Sequence, residues 1–169
     1  MDIQEKARKK MNCLERVLHK IPGFKGYHER EFRRDADRLQ REFIVRQLRE
    51  IKKSLGLVIQ TVSRQKNLEL LTEYDLFAKG LEKTINEIRY VDQGYSGFFD
   101  LIKIGETELD SLYQLDGEMA DLACRFNDEF SKLSSQPLAR TIPEPLKEYL
   151  AQIDAMGAKR SARLKGLQG

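Results

Sequence analysis

Histidine and cysteine occur only twice each in this 169-residue chain, and their placing removes most metal and nucleophile chemistry. Cys13 and Cys124 are far apart and no CxxC pair exists, so a zinc site built on thiolates is excluded at the motif level. Each cysteine falls among apolar neighbours at helical spacing. Each therefore reads as a small buried hydrophobe in a reducing compartment, with a disulfide or a reactive thiol as the alternative. Neither His19 nor His28 follows a glutamate by three residues, as a di-iron helical bundle requires. Neither has an evident nucleophile and orienting carboxylate. A GxxxxGK[ST] phosphate loop is missing, and so is the ligand spacing of an EF-hand. No apolar run approaches the roughly 20 residues that span a bilayer. The opening MDIQEKARKKMNC has no apolar signal core. The expectation is a non-catalytic protein with no cofactor and no metal site, cytoplasmic, with a peripheral place at a membrane surface left open.

What the chain has in quantity is charge. Charged residues make up 34% and apolar residues 40%, a balance that suits long helices with solvated faces. The net charge of +3 conceals a segregation. Residues 1–66 hold 18 Lys+Arg against 9 Asp+Glu, residues 67–139 hold 6 against 15, and residues 140–169 hold 6 against 3. A basic first part and an acidic second part can neutralise each other within one molecule, or the basic surface can seek an anionic partner.

The apolar residues recur at the period of an α-helix. Ile3, Ala7, Met11, Leu14, Leu18 and Ile21 predict a helix over 2–20, stopped by Pro22-Gly23. A second helix begins near His28 and runs to at least Ser54. Phe32, Ala36, Leu39 and Phe43 form its first stripe, and Ile44, Leu48, Ile51, Leu55, Val58 and Val62 its second. The step from Phe43 to Ile44 turns the stripe sideways, so the helix either bends there or meets different neighbours along its length. Residues 67–73 read as a turn. A third helix follows to about Asp92, with Tyr74, Phe77, Leu81, Ile85 and Ile88 inward. Residues 93–106 break the period with glycines and aromatics and read as a loop whose Tyr95, Phe98 and Phe99 plug the end of a bundle. Thr107 begins a fourth helix with a variant capping box; its stripe is Leu109, Leu112, Met119, Leu122, Phe126, Phe130 and Leu133. Pro143 and Pro145 open a short fifth helix docked by Leu146, Leu150, Ile153 and Met156. The fold class expected is all-α: an elongated antiparallel helical bundle or coiled-coil hairpin of four main helices, a short fifth and an aromatic-rich loop. Residues 1–156 form a single helical domain, and 157–169 a basic flexible tail.

The run IPGFKGYHEREFRRDAD, residues 21–37, is the least ordinary. Gly23 and Gly26 admit backbone geometry that a Cβ would obstruct, and Phe24 and Tyr27 can pack over the helix ends. The unpaired N–H groups at the start of the second helix favour an anion, with Lys25, Arg30, Arg33 and Arg34 beside them; Glu29 and Glu31 satisfy the same dipole from within. A rigid corner between helices is the simpler reading. This run, with RYVDQGYSGFFDLIKIGETELDSLYQLD further on, resembles a family of short bacterial helical proteins that carry an IPG-aromatic-x-G-Y turn and a GYxGFFD segment. The likeness covers roughly residues 12–130. It implies an α-helical fold, no catalytic activity, and membrane scaffold proteins of the band-7 type as partners; it supplies no site residues.

Arg30, Arg34, Arg38 and Arg41 share one face of the second helix, opposite Phe32, Ala36, Leu39 and Phe43. Solvation with i,i+4 ion pairs explains such a face. As a binding surface it offers Arg30, Arg34, Arg38 and Arg41, then Lys25 and Tyr27, to a protein partner, to a second copy in a homo-oligomer, or to anionic lipid at about 1 kcal/mol per basic residue. Nucleic acid is disfavoured because Phe32 and Phe43 face away from the arginines. The function expected is interaction or scaffolding, with self-association through oppositely charged helical faces. Peripheral binding to anionic membrane is the alternative.

Overall fold

The computed structural model describes residues 30–90, 106–134 and 141–166, with side chains for all of these except 30–37, 106–110, 113, 133 and 134. Over these residues the fold is all-α, four helices without a strand. We label them α1 (Arg30–Arg64), α2 (Leu68–Tyr90), α3 (Glu106–Ser134) and α4 (Glu144–Gly166). The helix expected over 2–20, the glycine turn with Lys25 and Tyr27, and the aromatic loop at 93–105 lie outside the described residues.

The 35 residues of α1 form one helix, about 50 Å long at 1.5 Å per residue. Its stripe does not bend at Phe43-Ile44; it widens. Gln40, Arg41, Phe43, Ile44 and Val45 are all buried, so this stretch is enclosed on more than one side. Beyond it the buried residues are Leu48, Ile51, Leu55, Val58 and Val62, at the three-and-four spacing of a single apolar stripe.

The turn expected over 67–73 is much shorter. Gln65 and Lys66 donate backbone N–H groups to the carbonyls of Val62 and Ser63, and Lys66 takes the left-handed conformation, φ 56°. Asn67 then caps α2, its Oδ1 accepting from the Leu70 N–H at 3.1 Å. The sequence NLELLTE is therefore helical from Leu68 onward. The inward set expected for this helix, Tyr74, Phe77, Leu81, Ile85 and Ile88, is buried throughout.

The helices lie along one another in a ring of principal contacts: α1 with α2, α2 with α4, α4 with α3, and α3 with α1. Pairing partners give the directions. Lys52 meets Glu82 across the tight turn, so α1 and α2 run antiparallel. Glu73 meets Lys147 and Thr84 meets Asp154, so α2 and α4 run parallel. Arg160 meets Asp116 and Tyr149 meets Phe126, so α3 and α4 run antiparallel. By these relations α1 and α3 are parallel, joined at Gln47 and Asn127. Phe126, fully buried, sits at the centre. It stacks on Tyr149 with centroids 5.7 Å apart and meets the edge of Phe77 at 6.3 Å.

Three expectations need correction. Glu106 is already helical, so α3 starts before Thr107, the position expected to begin it. The last helix is not short, and residues 157–166 belong to it and not to a flexible tail. The 23 residues of α4 reach Gly166, and Arg160 and Leu164 are buried. What reads as a basic tail is the last turns of a docked helix whose arginine is held by a buried aspartate. Finally, Cys124 is disulfide-bonded, so it is not the reduced thiol expected; Cys13 lies outside the described residues.

Candidate functional site

Of the residues expected to form a binding face, Lys25 and Tyr27 lie outside the described residues, and Arg30 and Arg34 are placed on α1 only by their backbone. Arg38 and Arg41 separate. Arg38 is exposed and leans towards Glu42, 3.7 Å away, both side chains being about 63% accessible. Arg41 is buried, at 6%. The expectation of a single solvated arginine face therefore fails at Arg41. The physical reason is the widening of the buried arc at 40–45, which takes in a position that would face solvent on a helix packed along one stripe only.

The structure brings a different set of arginines together. A groove of 720 Å³ runs beside the first half of α1. Arg38, Arg41, Arg46 and Arg49 line it from α1, and Arg89 lines it from the end of α2. Phe43 and Val45, both buried, supply apolar surface, and Glu42 and Glu50 are the acidic members. Five arginines against two glutamates leave the groove positive. Arg46 lies over the Phe43 ring, 5.3 Å from its centroid, and Arg89 over Tyr90 at 5.2 Å. An aromatic face holds a guanidinium in place while leaving its edge N–H groups free for a carboxylate or a phosphate.

Arg46, Arg49 and Arg89 are exposed and form no ion pair among the described residues. Elsewhere several basic groups are paired with carboxylates within the molecule. Lys52 pairs with Glu82 at 2.8 Å, Lys83 with Asp154 at 3.2 Å, Lys147 with Glu73 at 2.9 Å, and Arg160 with Asp116 at 2.8 Å. The first-half basic excess is thus neutralised in part at Lys52 and left open around the groove.

Sequence reasoning missed Arg46 and Arg49 as site residues, although their signal was present. They follow Arg38 and Glu42 at spacings of four and three along one side of α1. Arg89 had none, because only the α1–α2 hairpin brings it there. Among the described residues no group of three or more His, Cys, Asp or Glu side chains could hold a metal ion. No helix there is long and apolar enough to cross a membrane. No family model matches the chain, and comparison with curated proteins and with solved structures brings no match.

Proposed function

We propose that this protein is a non-catalytic interaction or scaffold protein, an elongated helical bundle that self-associates through oppositely charged helical faces. The observation that carries this reading is the open arginine cluster. Arg46, Arg49 and Arg89 are exposed around one groove and form no ion pair among the described residues, while Lys52, Lys83 and Lys147 are paired with carboxylates of neighbouring helices. Acidic residues stand outward on α3, where Glu118 and Asp128 are exposed. Guanidinium groups held by aromatic rings suit carboxylates, which they bind with two parallel hydrogen bonds.

Solution mass across a salt series tests it. The protein associates at low ionic strength and returns to a single chain at about 0.5 M salt, where the Debye length has shrunk to a few ångströms. A mass that stays at one chain under all conditions removes the reading.

The alternative is peripheral attachment to anionic membrane through the same arginines, with a membrane scaffold protein as the accompanying partner. What favours it is that Arg38, Arg46 and Arg49 occupy one exposed side of α1. Salt-sensitive co-sedimentation with phosphatidylserine vesicles supports that alternative, and its absence removes it.

A further inference from the structure

The exposed charges of α1 and α3 mirror each other. On α1, Arg38, Glu42, Arg46 and Arg49 are all exposed and follow at spacings of four, four and three, which places them along one side of the helix. On α3, read backwards, Glu129, Arg125, Asp121 and Glu118 follow at the same spacings of four, four and three. Glu118 and Arg125 are exposed, and Asp121 and Glu129 are half-buried. Laid antiparallel, the two helices set Arg38 against Glu129, Glu42 against Arg125, Arg46 against Asp121 and Arg49 against Glu118. All four pairs are of opposite charge.

The register is specific. A slip of one turn in one direction sets Glu42 against Glu129 and Arg46 against Arg125. A slip in the other sets Arg38 against Arg125 and Glu42 against Asp121. A parallel arrangement that satisfies Arg38, Glu42 and Arg46 sets Arg49 against Lys132. Like charges facing across helices oppose association, so they select against these alternatives.

The two stripes cannot meet within one molecule. The α1 stripe borders the groove that Arg89 of α2 completes, so it faces the side that α1 shares with α2. Glu118 lies two turns beyond Ser111, whose carbonyl and hydroxyl oxygens both accept from Arg163 of α4, so the α3 stripe faces the side shared with α4. In the ring of helix contacts these are opposite edges.

We infer that α1 of one copy docks antiparallel on α3 of the next in this register, a heterologous contact that builds an open-ended row of copies. This rests on the self-association proposed above and specifies its surface, its direction and its lack of closure. Because α1 and α3 are parallel within a chain and antiparallel across the contact, successive copies point in opposite directions. The stripe on α1 extends about 16 Å and its pairs are solvated, so the contact is weak and salt-sensitive. The home contacts it competes with include Arg38–Glu42 at 3.7 Å, Lys132–Glu129 at 3.4 Å and the Gln114 amide donating to Glu118 at 3.2 Å, all largely exposed.

The test uses Arg49→Glu and Glu118→Arg, both at exposed positions, each checked for helix content by circular dichroism. Sedimentation velocity at low salt is run on the parent, on each variant, and on an equimolar mixture. The parent forms species larger than a dimer that grow with concentration. Each variant alone associates about tenfold more weakly or worse, since a like pair now faces itself at every contact. The mixture recovers, because copies that alternate regain an opposite pair at each junction. If the parent associates but the mixture is no better than its components, the register is wrong while self-association stands. A parent that stops at a dimer overturns the open-ended row. A parent that is a single chain throughout overturns both this inference and the reading beneath it.

Discussion

Glu73, half-buried, makes three contacts from one position on α2. Its carboxylate accepts from Lys147 Nζ at 2.9 Å, from Thr141 Oγ1 at 2.8 Å and from the Ile142 N–H at 3.3 Å, tying α2 to the entrance of α4. The Lys147 ammonium holds this carboxyl below its ordinary range; burial opposes the shift, and Thr141 and the Ile142 N–H add to it. A carboxyl lowered on folding contributes stability above its ordinary pKa and loses it as pH falls through the lowered value. Glu73→Gln therefore costs about 1–2 kcal/mol near neutrality, and the fall in melting temperature between about pH 5 and pH 3 becomes shallower. Thermal melts at stepped pH read both effects. Asp116 carries a heavier load, since its side chain and that of Arg160 are only 3% and 4% accessible. Removing one partner strands a buried charge, so Asp116→Ala costs about 3 kcal/mol or more. The joint replacement Asp116→Leu with Arg160→Met recovers most of that loss in urea denaturation, because neither charge is then left behind.

At the scale of the helix, α4 is the element whose nature the residues concealed. Truncation after Gly157 removes Arg160 and Leu164, both buried, and leaves Asp116 inside without its arginine. The shortened chain should lose several kcal/mol of stability in urea denaturation; a chain with a loose tail would lose none. The sequence carried the clue in Ile153, Arg160 and Leu164, seven and four residues apart on one side of a helix. Basic composition hid it, because a lysine- and arginine-rich end reads as solvated unless a buried acid is known to face it. The stripe of α2 was legible for the opposite reason. Tyr74, Phe77, Leu81, Ile85 and Ile88 are apolar without interruption at helical spacing, and nothing distant is needed to explain them. The start of that helix was misjudged because Leu68 and Leu71 gave no break, while Asn67, a single capping side chain, marked the true boundary. Arg38 and Arg41 share a face by periodicity alone. Only the enclosure of α1 at 40–45 divides them, and that is a property of neighbours.

Taken as a whole, the molecule keeps its structural ion pairs apart from its open charges. Lys147–Glu73 and Arg160–Asp116 join helices, and the second is dry. Arg46, Arg49 and Arg89 of the groove form no ion pair among the described residues. Raising the salt should therefore weaken the proposed self-association while leaving the melting temperature nearly unchanged, since a buried pair is screened far less than an exposed one. Paired light-scattering and thermal measurements on the same samples separate the two responses. The dry pair also bears on how the chain is made. Asp116 leaves the ribosome more than forty residues ahead of Arg160, and synthesis adds about 5–20 residues per second. For those seconds the acid lacks the arginine that accompanies it in the dry pair, so the nascent protein cannot seal this part of its interior until Arg160 has been made.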